Sequence, residues 1–168
     1  RDWSSDVCSS DLNVRFLLLG DGPWRARFEA MAAANPALNG RFIFAGLVPP
    51  SEVWRYLGLM DVLVHLSRRE GLARVLPQAL AAGKPVIALD CDGAAEVCRD
   101  GETGFLLRGD ASALADRLGL LADSPDLARA MGERGRAWVR ERFSEATMVQ
   151  AIDALYRSLL AREEGGFR

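Results

Sequence analysis

The segment richest in chemistry is a short loop and the helix it feeds: Ser67-Arg68-Arg69-Glu70-Gly71-Leu72-Ala73-Arg74, then Val75-Leu76-Pro77-Gln78. Pro77 helps fix where that helix begins, because proline lacks a backbone donor and is tolerated where the first turn leaves donors unpaired anyway. The helix is therefore predicted to start near Ala73 or Arg74 and to end near Ala82. Its free N–H groups and positive dipole end then face the loop just after Glu70, a ready anion site for which a diphosphate is the natural candidate. Gly71, lacking a side chain, lets backbone amides approach a ligand closely. Glu70 and Gln78 can flank one pocket, from the loop and from the helix, and both accept hydrogen bonds from a hydroxyl-rich ligand. The same spacing fits a solvated glutamate and an exposed helical glutamine equally well.

These residues need a frame to hold them. Apolar runs at Val14–Leu19, Arg41–Ala45, Asp61–Leu66, Pro85–Leu89 and Gly104–Leu107 read as strands. Helical spacing falls between them at Trp24–Ala34, Ser51–Leu59 (with Ser51 as N-cap), Arg74–Ala82 and Ala94–Cys98. After Gly109 the texture changes to three amphipathic helices near Ala111–Ala122, Pro125–Arg142 and Glu145–Arg162, with Ser124 and Ser144 as caps. Alternation of this kind predicts an α/β fold: a doubly wound parallel sheet, Rossmann-like, with a C-terminal group of helices. Ligands of such sheets sit at the carboxyl ends of strands, which points to the loops after Leu19, Ala45, Leu66 and Leu89.

The N-terminal run RDWSSDVCSSDL, Arg1 to Leu12, is rich in Ser and Asp, follows neither structural period and stops where the first apolar run begins. It resembles the translation of a sequencing-library adaptor and is set outside the fold. That leaves one partial domain over 13–162 and a frayed tail, Glu163–Arg168. Setting Arg1, Asp2, Asp6 and Asp11 aside from the 21 basic and 23 acidic residues leaves 20 of each, so no basic surplus argues for nucleic acid. Cys8 goes with the same run. Cys91 and Cys98 have neither metal-type spacing nor a nearby histidine and read as free thiols in a reducing compartment. No apolar run is long enough to cross a bilayer.

Other candidates read as structural. His65, the single histidine, sits near a strand end without evident partners for catalysis or metal binding, so a core or pocket-edge position is expected. Gly20-Asp21-Gly22-Pro23 lacks the third glycine of a dinucleotide fingerprint and reads as a turn. Trp54 and Trp138 lie at apolar helical spacing and are expected to pack in the core. Arg134, Arg136, Arg140 and Arg142 interleave with Glu133 and Glu141, a solvated helix face. The last helix carries Met148, Ile152, Leu155, Tyr156 and Leu159 on a face of which part is expected to lie exposed.

The ordered set from Glu70 onward resembles the nucleotide-binding domain of family-four glycosyltransferases of GT-B architecture. Glu70 and Gln78 match that family's paired glutamates. Ala81-Ala82-Gly83-Lys84-Pro85-Val86, Gly93-Ala94-Ala95-Glu96 and Asp100-Gly101-Glu102-Thr103-Gly104 match the motifs that follow. Gly20-Asp21-Gly22-Pro23 and Phe44-Ala45-Gly46 fall where the family has them, and the resemblance covers about Val14 to Leu160. It implies a retaining transferase of the hexosyltransferase type, moving a sugar from a nucleotide-diphosphate sugar to an acceptor hydroxyl, in polysaccharide or glycolipid biosynthesis. Glu70 takes the catalytic, sugar-binding role. Backbone amides of Gly71, Leu72 and Ala73 hold the diphosphate and nearby sugar, Gln78 takes the ribose, and Gly46, Leu47 and Val48 meet the base. Gln78 departs from the family's glutamate and loses charge assistance at the ribose.

No metal or other cofactor is expected; the nucleotide sugar is a substrate. The family also places an Arg and a Lys that grip the donor phosphates upstream of a strand like Val14–Leu19, and an N-terminal acceptor domain before that. Neither is in this sequence, so the fragment is expected to be inactive alone. A cytoplasmic location, with peripheral contact at the inner membrane face, is the corresponding expectation. Two rival readings stand beside this one: a donor-binding or inert module, and a nucleotide-sugar epimerase of the same architecture.

Overall fold

The computed structural model describes residues 14–38, 40–108 and 111–165, with side chains through residue 161. The excluded run Arg1–Leu12, Gly109 and the end of the tail lie outside them.

Five strands are described: β1 (Phe16–Leu19), β2 (Phe42–Gly46), β3 (Leu63–His65), β4 (Val86–Leu89) and β5 (Gly104–Leu107). All pair in parallel, β1 with β2 in one sheet and β3-β4-β5 in another, so the expected parallel sheet is present as two ladders. Helices alternate with them: α1 (Arg25–Ala34), α2 (Val53–Leu59), α3 (Val75–Ala81) and α4 (Ala94–Val97). Then come α5 (Ala111–Asp123), α6 (Pro125–Arg142) and α7 (Glu145–Gly165). The last helix passes the predicted end at Arg162 by three residues.

The core sits around β4, whose Val86, Ile87 and Ala88 are fully or almost fully buried because helices cover both faces. On one face α3 buries Leu76, Ala79 and Leu80, the i, i+3, i+4 positions of one helical stripe. Each such leucine contributes about 1.5–3 kcal/mol of burial. On the other face α5 buries Leu114, Leu118 and Leu121 beside Ile87, Phe105 and Leu107. The helix α6 packs against α3 through Gly132 and Gly135. A Cβ at Gly132 would stand 1.9 Å from the Gly83 carbonyl oxygen, so only glycine permits this approach.

Three cap and core expectations are corrected. Ser51 does not cap α2: Pro50–Glu52 form a 3-10 turn and Glu52 occupies the cap position without a side-chain bond. Pro50 takes the first position of that turn, for which its preset φ is suited, so Ser51 falls inside the turn and not before it. Ser124 is the cap residue of α6 but makes no side-chain cap bond, whereas Ser144 accepts the Thr147 N–H at 3.1 Å in the expected manner. Trp54 is 64% exposed, because the short α2 turns Val53 and Leu57 inward and Trp54 away. Trp138 does pack on the core and donates its indole N–H to the Val97 carbonyl at 3.1 Å, flanked by Arg99 and Arg142.

The apolar face of α7 is exposed along its length, from Met148 through Ile152 and Leu155 to Leu160. Among the described residues no helix is long and apolar enough to cross a membrane.

Candidate functional site

Parallel register decides which loops meet. His65 at the end of β3 pairs with Ala88, one residue before the end of β4, so the loops after these strands leave the sheet at the same edge. Three bonds tie them together. The Cys91 thiol donates to the Ser67 carbonyl at 3.1 Å, Asp92 Oδ2 accepts the Glu70 N–H at 2.8 Å, and the Gly93 N–H donates to the Gly71 carbonyl at 2.8 Å. Asp92 adopts φ 46°, the left-handed region that non-glycine residues rarely enter. Gly93 is required by proximity, since a Cβ there would stand 2.3 Å from the Gly71 oxygen.

The Glu70 side chain is exposed, and its Oε2 lies 2.8 Å from Nε2 of the half-buried His65. An ionised carboxylate only accepts, so the proton in this bond sits on Nε2. His65 is thus at the site edge, as expected, and its partner is Glu70 itself. Sequence spacing did not reveal this pair, because five residues spanning a strand end and a loop follow no fixed period. Asp92 was missed as well; its only signal was the parallel pairing of β3 and β4.

Beyond Glu70, the main chain turns into α3 with Arg74 at the cap position and no side-chain cap bond. The N–H groups of Gly71, Leu72 and Ala73 make no described hydrogen bond, and the first bond of this turn runs from the Leu76 N–H to the Ala73 carbonyl at 3.0 Å. The predicted helix start is borne out, with Pro77 in the first turn where no donor is needed. Arg68, Arg69 and Arg74 are exposed at the same end. Gln78 lies in α3, exposed, and its side chain makes no described bond.

The structure does not join Gly46–Val48 to this cluster through any described bond. Gly46 is buried with φ 72°, its carbonyl accepting the Gly20 N–H at 2.8 Å, while Leu47 is exposed and Val48 half-buried. The Gly20–Pro23 segment is a turn, with Asp21 Oδ1 accepting the Gly22 N–H at 2.7 Å. The motif Asp100–Gly104 is structural too: Asp100 Oδ1 accepts the Leu106 N–H at 3.0 Å, and the buried Thr103 hydroxyl accepts the Arg99 N–H at 2.9 Å.

An open cavity of about 390 Å³ lies elsewhere, between α1 and β2; its one charged wall, Glu29, is already engaged by Arg25. Among the described residues no group of three or more His, Cys, Asp or Glu is placed to hold a metal ion.

Comparison with known proteins bears on this geometry. Residues 5–138 match the family model described as glycosyl transferases group 1, a match that starts inside the run Arg1–Leu12. N-acetyl-alpha-D-glucosaminyl L-malate synthase of Bacillus anthracis is 31% identical over 158 residues, covering 94% of this chain and 41% of that protein. Among solved structures, sucrose-phosphate synthase from Thermosynechococcus elongatus superposes with TM-score 0.76 at 30% identity, over 87% of this chain and 38% of that one. Anabaena Alr3699/HepE in complex with UDP-glucose superposes with TM-score 0.76 over 86% of this chain and 41% of that one, a likeness of fold at 24% identity. The chain spans about two fifths of the length of these relatives. By its sequence match and its parallel α/β architecture, this chain belongs to the group 1 glycosyltransferases of GT-B fold.

Proposed function

We propose that residues 13–162 form the donor half of a retaining glycosyltransferase that uses a nucleotide-diphosphate sugar. The observation that carries this reading is the exposed Glu70 carboxylate followed at once by three backbone N–H groups without internal partners, at the carboxyl edge of a parallel sheet. In this reading Glu70 accepts from the donor sugar's hydroxyls, and the amides of Gly71, Leu72 and Ala73 hold the diphosphate. Gln78 accepts from the ribose, and Gly46–Val48 flank the base. HepE, of similar fold, is described in complex with UDP-glucose, which supports a ligand of this class.

The chemistry follows from the charges. The bond between the anomeric carbon and the diphosphate oxygen breaks with its electron pair leaving on phosphate, and the sugar becomes cationic. Amides aimed at the departing oxygens stabilise that charge as it develops, an electrostatic contribution that usually outweighs others in such steps. The acceptor hydroxyl attacks the same face and passes its proton to the departing phosphate, so no metal is needed to balance the step.

The described chain supplies one wall of such a site, and turnover is assigned to the intact two-domain protein. The described strands pair as β1-β2 and β3-β4-β5, all parallel, as in a doubly wound donor-binding sheet. Replacing Glu70 with Ala in the intact protein is expected to remove most transfer, by about 100-fold or more in kcat/KM. Turnover retained within about threefold refutes the assignment of Glu70.

A further inference from the structure

Two side chains with no assigned contact to the donor hold Glu70 from different directions. Asp92 Oδ2 accepts its backbone N–H and His65 Nε2 engages its carboxylate, each at 2.8 Å. We propose that Asp92 and His65 are positioning residues for recognition of the donor sugar, an inference that rests on Glu70 being the residue that meets the sugar.

Asp92 is the stronger clue. It holds φ 46°, a conformation that glycine adopts without strain and aspartate does not. What the carboxylate gains in return is the Glu70 N–H. One residue later the Gly93 N–H takes the Gly71 carbonyl, so the peptide before the Glu70 α-carbon and the Gly71–Leu72 peptide after it are both tied to the same neighbouring loop. His65 completes the arrangement by holding Oε2, which leaves Oε1 without a described partner and aimed by a side chain whose torsions are already set. Preorganisation of this kind spares the ligand the ordering of a flexible glutamate.

Calorimetric titration of the chain with UDP-glucose, GDP-mannose and ADP-glucose, each against its free nucleoside diphosphate, measures what the sugar adds to affinity. Amide hydrogen exchange at Glu70 measures the clamp without any ligand. Asp92→Gly and Asp92→Ala both remove the acceptor, and the expected result is about tenfold faster exchange at the Glu70 amide and about a tenfold loss of the sugar's increment, with affinity for the free diphosphate held within about twofold. Asp92→Asn keeps an acceptor oxygen on a residue that tolerates left-handed backbone, and restores both readouts. In Asp92→Gly the thermal midpoint holds or rises while sugar discrimination falls, a split that a purely structural role does not produce. His65→Leu lowers the same increment, and His65→Gln, which retains an N–H donor, recovers it.

A Glu70 amide that stays protected in Asp92→Gly, or a sugar increment unchanged once that amide is deprotected, overturns the inference. A wild-type chain that binds none of the six ligands overturns the donor-site reading itself, and the inference with it. A failure of the clamp alone is distinguished from this by a wild type that binds.

Discussion

Replacing Gly93 with Ala adds one methyl group at the junction of the two site loops, and the structure fixes what that methyl meets. It would stand 2.3 Å from the Gly71 carbonyl oxygen, 3.1 Å from Leu72 Cδ1 and 3.3 Å from the Gly71 carbonyl carbon. Contacts under 3.0 Å are essentially never made by real Cβ atoms, so the Gly71 peptide must retreat by about 0.7 Å, or the loop after β4 must. Gly93 has φ −81°, which alanine adopts without strain, so backbone conformation contributes nothing to the effect. Its position at the α4 cap adds a smaller cost, roughly 0.5–1 kcal/mol, because glycine is preferred to alanine there. The retreat lengthens the 2.8 Å bond from the Gly93 N–H to the Gly71 carbonyl and moves the amide run that starts at Gly71. Misplacement near 1 Å in a preorganised site costs up to about 100-fold, so donor affinity is expected to fall about 10- to 100-fold. Overpacking costs about 1–3 kcal/mol of stability, which leaves most of the protein folded at 25 °C. Calorimetric titration with a nucleotide sugar, set beside a denaturation curve, separates the two effects. A Gly93→Ala protein that binds as the wild type does, or loses affinity only in proportion to its unfolded fraction, would refute the claim that these loops form one ligand-holding unit.

Gly132→Ala drives a methyl to 1.9 Å from the Gly83 oxygen, both partners being main chain, and separates α6 from α3. The gain of about 1 kcal/mol in helix propensity is outweighed, and a net loss of about 1–3 kcal/mol should appear in urea denaturation. Burial pushes the Cys98 thiol up from 9.0 to about 12, so its neutral form is favoured by folding. That contribution is intact below about pH 9 and is lost as pH rises toward about 12, by up to about 1.4 kcal/mol per pH unit, a slope that Cys98→Ala should remove. Cys91, only partly buried, should react with iodoacetamide in the native protein while Cys98 stays protected. Gln78→Glu restores a charge-assisted acceptor and is expected to raise nucleoside diphosphate affinity by about 3- to 10-fold in calorimetry; an unchanged Kd would place the ribose elsewhere.

Some of this molecule could be read directly from residue order, and some required the sheet. β5 is found at the predicted Gly104–Leu107, because a short apolar run after a tight turn leaves few alternatives. The start of α3 was legible through Pro77, whose missing N–H is tolerable only in a first turn. Ser51 misled because cap propensity was read without Pro50, whose preset φ starts the turn one residue earlier. Trp54 misled because a seven-residue helix buries one narrow stripe, and apolar spacing alone does not say which residues fall on it. The family's glutamate pair was recognisable as a pattern, yet what holds Glu70 was not. His65 reaches it across a strand end and Asp92 from 22 residues downstream, and neither separation repeats in helices or strands. The link is made by register: pairing His65 with Ala88 sets the two loops side by side, and the bonds among Ser67, Glu70, Gly71, Cys91, Asp92 and Gly93 follow. Local sequence therefore nominates the residue that meets the ligand, while the sheet decides how rigidly it is presented. Since Asp92 accepts conformational strain to make its bond, rigidity at Glu70 is a property on which substitutions well outside the ligand's reach should act.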